Sequence, residues 1–198
     1  MSDEWFDKYP GLAFERHEHG ILLMTLNRPE AMNATSAADH NAIGRVWHDI
    51  DDDDETRVVV VTGAGDAFSA GGDLDWIETM VQNYDGMKAA FREAGDIVYR
   101  MTECSKIIIS AINGVAVGAG LAVALMADIS IMNEDARLTD GHLRLGVAAG
   151  DHAVILWPLL CGMAKAKLYL LTSDFVDGRT ADQIGLVSKA VPADEVVP

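Results

Sequence analysis

Hydrophobic and polar positions follow two regimes along this chain. Short unbroken apolar runs alternate with longer stretches in which apolar residues return every third or fourth place. The first regime covers residues 57–62, which include Val58-Val59-Val60-Val61, and residues 107–112, from Ile107-Ile108-Ile109 through Ala111 and Ile112. Runs of β-branched residues like these predict strands buried on both faces. Residues 129–132 predict a further strand. The second regime covers residues 36–49, with Ala38, Ile43, Val46, Trp47 and Ile50 on one stripe, and predicts a helix with Ser36 or Thr35 as its N-cap. Residues 73–82 predict a short helix and residues 87–104 a longer one, with Phe91, Ile97, Val98 and Met101 at core-facing spacing. Near the start, residues 12–17 and 21–27 read as a strand pair joined at Glu18-His19-Gly20. From Val154 to Leu171 the pattern is helical with a break near Gly162, and Thr180 to Val187 forms a late helix-to-strand corner. Such alternation implies parallel strands joined by helical crossovers.

Glycine placement adds a second layer. Residues 107–128 read as strand, glycine turn and buried helix, with Asn113-Gly114 and then Gly118-Ala119-Gly120 between the apolar runs. Gly71-Gly72 follows the strand at 57–62 in the same way, and Asp73 is placed to cap the helix after it. Glycine lets a ligand approach the backbone closely, and a helix start leaves N–H groups without partners. Two such turns can each give one N–H to a single oxygen that is gaining charge. Either turn taken singly reads equally well as a tight connection.

Four segments carry a resemblance. They are Leu26-Asn27-Arg28-Pro29-Glu30-Ala31-Met32-Asn33-Ala34, Ala67-Phe68-Ser69-Ala70-Gly71-Gly72-Asp73-Leu74, Asn113-Gly114-Val115-Ala116-Val117-Gly118-Ala119-Gly120, and Ala127-Asp128. In order and spacing the chain resembles the enoyl-CoA hydratase/isomerase (crotonase) family from about Gly20 to its end. The resemblance implies an α/β fold in which strand–strand–helix units spiral into a superhelical core. It also implies an acyl-CoA substrate, with coenzyme A as part of that substrate and no separate cofactor. It places backbone oxyanion donors at Gly72 and Ala119, and substrate contacts at Arg28, Ala31, Ala70, Gly71, Asp73 and Gly118. It further implies a homo-oligomer, a trimer or hexamer. On this reading residues 1–198 are one core domain without the helical region that usually follows, and an apolar surface is left for self-association to cover.

Composition then narrows the choice. Length suits one domain, and the formal charge of −16 argues against nucleic acid and anionic membranes as partners. It also sits awkwardly with a polyanionic coenzyme, since Glu30 and Asp75 stand where the family often has basic residues. No apolar run is expected to span a membrane, and the acidic start lacks a targeting segment, so the expected location is the cytoplasm. Cys104 and Cys161 read as core thiols. His17 and His19 read as surface histidines and not as metal ligands. The acidic run at residues 49–55 lacks the glycine and glutamate positions of a calcium loop and reads as a solvated turn. No metal is expected.

The chemistry is expected between Arg137 and His152. Hydratases of the family use two glutamates, and this chain has Ala122 and His142 at those places, so paired-carboxylate hydration does not carry over. Asp140, His142 and Asp151 remain. Asp140 either orients His142 along an extended segment or fixes a turn with Gly141. Asp151 either moves a proton or simply caps the helix that follows. A single proton carrier suits isomerisation, hydrolysis or decarboxylation as well as hydration. The rival functions are a catalytically silent acyl-CoA binding module and a dinucleotide-dependent oxidoreductase. The second is disfavoured because Val123 stands where the third glycine of that fingerprint belongs.

Overall fold

The structure is a computed structural model that describes residues 3–197; Met1, Ser2 and Pro198, the ends of the proposed domain, lie outside it. A six-stranded sheet has the order β1 (Leu12–His17), β2 (Ile21–Leu26), β3 (Val58–Gly63), β5 (Ile107–Ile112), β7 (Ile129–Asn133) and β10 (Lys189–Val191). Only the β1–β2 pair is antiparallel. A second sheet of short strands has the order β4 (Ala67–Ser69), β6 (Val115–Val117), β8 (Arg137–Thr139) and β9 (Val176–Asp177). The first three of these run parallel and β9 is antiparallel to β8.

The two sheets arise from one repeated unit. A long strand of the first sheet turns a corner into a short strand of the second, and a helix follows. The units are β3–β4 with α2 (Leu74–Val81) and α3 (Tyr84–Glu103), β5–β6 with α4 (Gly118–Met126), and β7–β8 with α5 (His152–Thr172). Because β3, β5 and β7 have largely covered faces, their sequences are mostly apolar, and Val59, Val61, Ile108 and Ile112 are fully or almost fully buried. Trp47 of α1 (Ala37–Asp51), Trp157 and Phe68 fill the largest volumes of the core. Serine 36 caps α1 through a reciprocal capping box with Asp39.

Asparagines hold the corners. The Asn113 amide donates to the carbonyls of Gly63 at 3.0 Å and Gly65 at 2.8 Å, while its oxygen accepts from the Gly63 N–H at 3.1 Å. Asn33 donates to Ala64 and Ala67, and Asn133 donates to the Asn113 carbonyl. Corner backbone that leaves both sheets thus finds partners on side chains.

Four expectations change. The four short strands went unread, because two or three residues carry no periodicity. The acidic run is only partly solvated: Asp53 is 2% exposed and holds Arg16 at 2.8 Å and the Thr56 hydroxyl at 2.6 Å. Both cysteines are half-buried at the core edge. By length and composition α5 does reach the membrane-spanning range, with 21 residues and a hydropathy of 1.5, and it is largely exposed. It is broken, however, at Gly162 (φ 75°, ψ 158°), so each arm is about ten residues, half of what a span needs.

Candidate active site

The two glycine turns meet. Gly71 (φ 93°) and Gly118 (φ 56°) both occupy backbone regions that disfavour a side chain. Packing adds to this at Gly71, where a Cβ would stand 3.2 Å from Val117 Cγ1, whereas a methyl group on Gly118 would make ordinary contact, 3.4 Å from the Gly71 Cα and 3.7 Å from the Gly72 nitrogen. Gly72 follows β4, and the Gly72 N–H finds no acceptor among the described residues. Gly118 opens α4, whose N-cap Val117 offers no side-chain acceptor, so Ala119 sits in a first turn with unpaired N–H groups. The expected donors Gly72 and Ala119 are therefore brought to one place.

The first motif is zipped onto the same turn. The Thr35 N–H donates to the Gly71 carbonyl at 2.7 Å, the Asp73 N–H to the Thr35 carbonyl at 2.9 Å, and the Ala70 N–H to the Met32 carbonyl at 2.9 Å. Ala31 closes a short 3-10 turn after Arg28. The Arg28 guanidinium spans Asp39 at 3.0 Å and Asp73 at 3.5 Å, with Glu30 at 4.0 Å, so its charge is already matched by carboxylates. Asp73 also caps α2.

The third group approaches through one side chain. Val117 Cγ1 lies 3.2 Å from where a Cβ would stand on Gly71, and equally close to that of Gly141. Gly141 separates Asp140 from His142, so these two flank the glycine turns. The segment is not extended. Gly141 is helical and residues 142–145 form a 3-10 turn, yet the two side chains still meet. His142 Nδ1 donates to Asp140 Oδ1 at 2.7 Å, and His142 Nε2 lies 3.4 Å from Asp151 Oδ2. Asp151 caps α5 through Ala153 and also faces His152, with its Oδ1 3.0 Å from His152 Nδ1. The capping reading of Asp151 thus holds in its geometry, and its second oxygen faces His142.

Four side chains form a row: Asp140, His142, Asp151, His152. The hydrogen bond to Asp140, then that to Asp151, push His142 up to about 10 against the opposing effect of burial. Burial alone would raise Asp151, but the contacts to His142 and His152 outweigh it and hold this carboxyl well below the usual range. His142 is therefore an imidazolium near neutral pH, between two carboxylates. One oxygen of Asp140 and both nitrogens of His152 are buried without an aligned hydrogen bond; the His152–Asp151 contact is close but poorly directed. Asp140, Asp151 and His152 also place donor atoms within 4.8 Å of one another, a spacing that a cation could use. The sequence reading missed His152. Its only signal is adjacency to Asp151 at the start of an apolar helix.

Comparison with known proteins decides the family. The profile of the enoyl-CoA hydratase/isomerase family matches residues 16–198. The chain belongs to the enoyl-CoA hydratase/isomerase family. Among relatives, it is 32% identical over 193 residues to a crotonyl-CoA hydratase of Syntrophomonas wolfei, covering 96% of this chain and 72% of the relative. It is 33% identical over 182 residues to a short-chain-enoyl-CoA hydratase of Clostridium acetobutylicum, covering 91% and 69%. The crystal structure of an enoyl-CoA hydratase/isomerase from Mycobacterium paratuberculosis superposes with a TM-score of 0.88 at 32% identity, covering 93% of this chain and 74% of that one. The spiral of strand–strand–helix units is the crotonase fold that the motifs led us to expect. As a member of this family the chain is built for acyl-CoA substrates. Ala122, at one of the expected glutamate places, is buried within α4.

Proposed function

We propose that this protein is an acyl-CoA thioester enzyme that stabilises an enolate and moves a proton with His142 and Asp151. The thioester carbonyl oxygen accepts from the N–H groups of Gly72 and Ala119. Negative charge that develops on that oxygen is met by donors already in place, which acidifies the adjacent carbon. The meeting of the two glycine turns, with Gly118 against Gly71 and Gly72, carries this reading.

The proton carrier is the His142–Asp151 pair, with Asp140 orienting the imidazolium. A charged His142 serves as general acid toward the enolate or a leaving oxygen. Asp151, held ionised, is the group open to accept a proton from carbon, although its histidine contacts make it a weaker base than an ordinary carboxylate. Such a pair on one side of the thioester favours isomerisation or an atypical hydration. Coenzyme A enters as part of the substrate, with Arg28, Ala31, Ala70, Gly71, Asp73 and Gly118 lining its approach. The exposed apolar face of α5, where Leu159 is 77% and Leu171 70% exposed, supports self-association.

A second reading, a silent acyl-CoA binding module, is favoured by Ala122 in place of a carboxylate. The charged row beside the glycine turns weighs against it, since ionised groups are costly to bury without a task. One experiment separates the two. Purified protein is incubated with enoyl, dienoyl, β-keto and malonyl-type CoA thioesters and products are followed by mass, alongside His142→Ala and Asp151→Asn. Turnover of one class that falls at least a hundredfold in either variant supports the enzyme. Binding without turnover across the panel supports the silent module.

A further inference from the structure

His152 has no reason from packing alone to be a histidine. It is the first residue of α5, it is 0% exposed, and neither ring nitrogen has an aligned hydrogen bond among the described residues. An apolar residue would fill that space without the cost of desolvating two nitrogens. With Asp140 within 4.8 Å, it meets Asp151 Oδ1 at 3.0 Å from Nδ1. The other oxygen of the same carboxylate, Oδ2, faces His142 Nε2 at 3.4 Å. The two imidazoles thus stand on the two oxygens of one carboxylate, with ring centroids 6.3 Å apart.

We infer that His152 is a positioning residue that holds the Asp151 carboxylate turned toward His142. The inference rests on the reading of His142 and Asp151 as the proton-moving pair. Asp151 caps α5 only weakly, through Ala153 at 3.4 Å, so the cap does not by itself fix the carboxylate plane. A donor on Nδ1 of His152 reinforces the cap on the same oxygen, because His152 and the Ala153 N–H together engage Oδ1 and leave Oδ2 the oxygen presented to His142. The acidic groups around His152 are Asp151 and Asp140, and the basic group is His142. Asp140 then holds the far side of the His142 ring, and the row is pinned at both ends.

The test uses protein labelled with nitrogen-15 at histidine, observed by NMR, with His152→Phe and His152→Asn. In the wild type the inference requires the Nδ1–H tautomer or the doubly protonated ring at His152. An unprotonated Nδ1 overturns it without any variant. In His152→Phe the titration midpoint of His142 is expected to fall by at least about one pH unit, a tenfold loss of proton affinity. In His152→Asn, whose amide N–H reaches the same oxygen, the midpoint recovers. On a thioester that the protein turns over, His152→Phe is expected to lower kcat about tenfold with KM little changed. An unshifted His142 in a folded His152→Phe overturns the inference. So does tight binding of Zn²⁺ to the wild type that is lost in His152→Phe, which would make the cluster a cation site. If no thioester is turned over, the proposed function fails, while the tautomer and titration still decide the role of His152.

Discussion

Gly118 lies directly against Gly71: a methyl group added to the former would stand 3.4 Å from the Cα of the latter. That approach brings the starts of two helices from different repeats to one point. A side chain at 118 would meet two penalties. The backbone there has φ 56°, which costs an L-residue about 1 kcal/mol, and anything beyond a methyl group would wedge the turns apart. Gly118→Val is expected to melt a few degrees below the wild type and to lose at least tenfold in kcat/KM on an active thioester. Circular dichroism melting together with steady-state kinetics checks both parts.

His142 links stability to pH. Its proton affinity is raised in the folded state, from 6.5 to about 10. The stability it contributes is therefore fully present below pH 6.5 and is lost as pH rises through about 10. Asp151 works in the opposite sense, because its folded-state pKa is depressed. Its contribution is present above the ordinary 3.8 and is lost as pH falls further. Together they define a window between 3.8 and 6.5 in which the row contributes most. His142→Gln is expected to be destabilised there by roughly 2–4 kcal/mol, with the gap to the wild type narrowing above pH 10. Thermal melts of both proteins across that range would reveal a constant gap if the ion pairs are unimportant.

Asn113 joins two repeats with one side chain. Replacing it with alanine strands the Gly63 N–H and two carbonyls at the corner of β3 and β4. The expected cost is roughly 2–4 kcal/mol, far above that of an ordinary surface substitution. Urea unfolding with an unchanged slope and a lower midpoint is the anticipated result.

Much of this was legible from the chain. The runs at residues 57–62 and 107–112 placed β3 and β5 within a residue, because strands covered on both faces are mostly apolar. Ser36 and the apolar stripe after it gave α1, and the break at Gly162 was visible as a glycine within a helical pattern. The short strands of the second sheet were not visible in the hydrophobic pattern, although the resemblance implied a spiral of strand–strand–helix units. Strands such as Ala67–Ser69 owe their conformation to neighbours that are distant in sequence, not to their own composition. At the site, Asp140, His142 and Asp151 were picked out and do converge. The reason differs from the expected one: a 3-10 turn, not an extended strand, brings Asp140 and His142 together. His152 escaped because a buried histidine in an apolar helix looks like any core residue until its neighbour across the turn is known. Arg28, expected from the resemblance as a substrate contact, is held by Asp39 and Asp73, which lie 11 and 45 residues away, and by nearby Glu30.

The apolar face of α5 invites a solution test. Leu159, Met163 and Leu171 are each more than half exposed. Sedimentation velocity is expected to find the wild type larger than a single copy. The double variant Leu159→Asp with Leu171→Asp should shift it toward one copy while leaving the melting temperature of the fold largely intact. A wild type that stays at one copy at all concentrations would remove self-association from the account.

The proton-holding row and the glycine turns belong to different parts of the spiral. The N–H groups are fixed by backbone at the starts of α2 and α4, whereas the row hangs from the turn after β8 and from the first residue of α5. The cradle and the tool are thus separately mounted. On the proposed function, a few substitutions between residues 140 and 152 would re-equip the protein for another proton transfer without rebuilding the glycine turns.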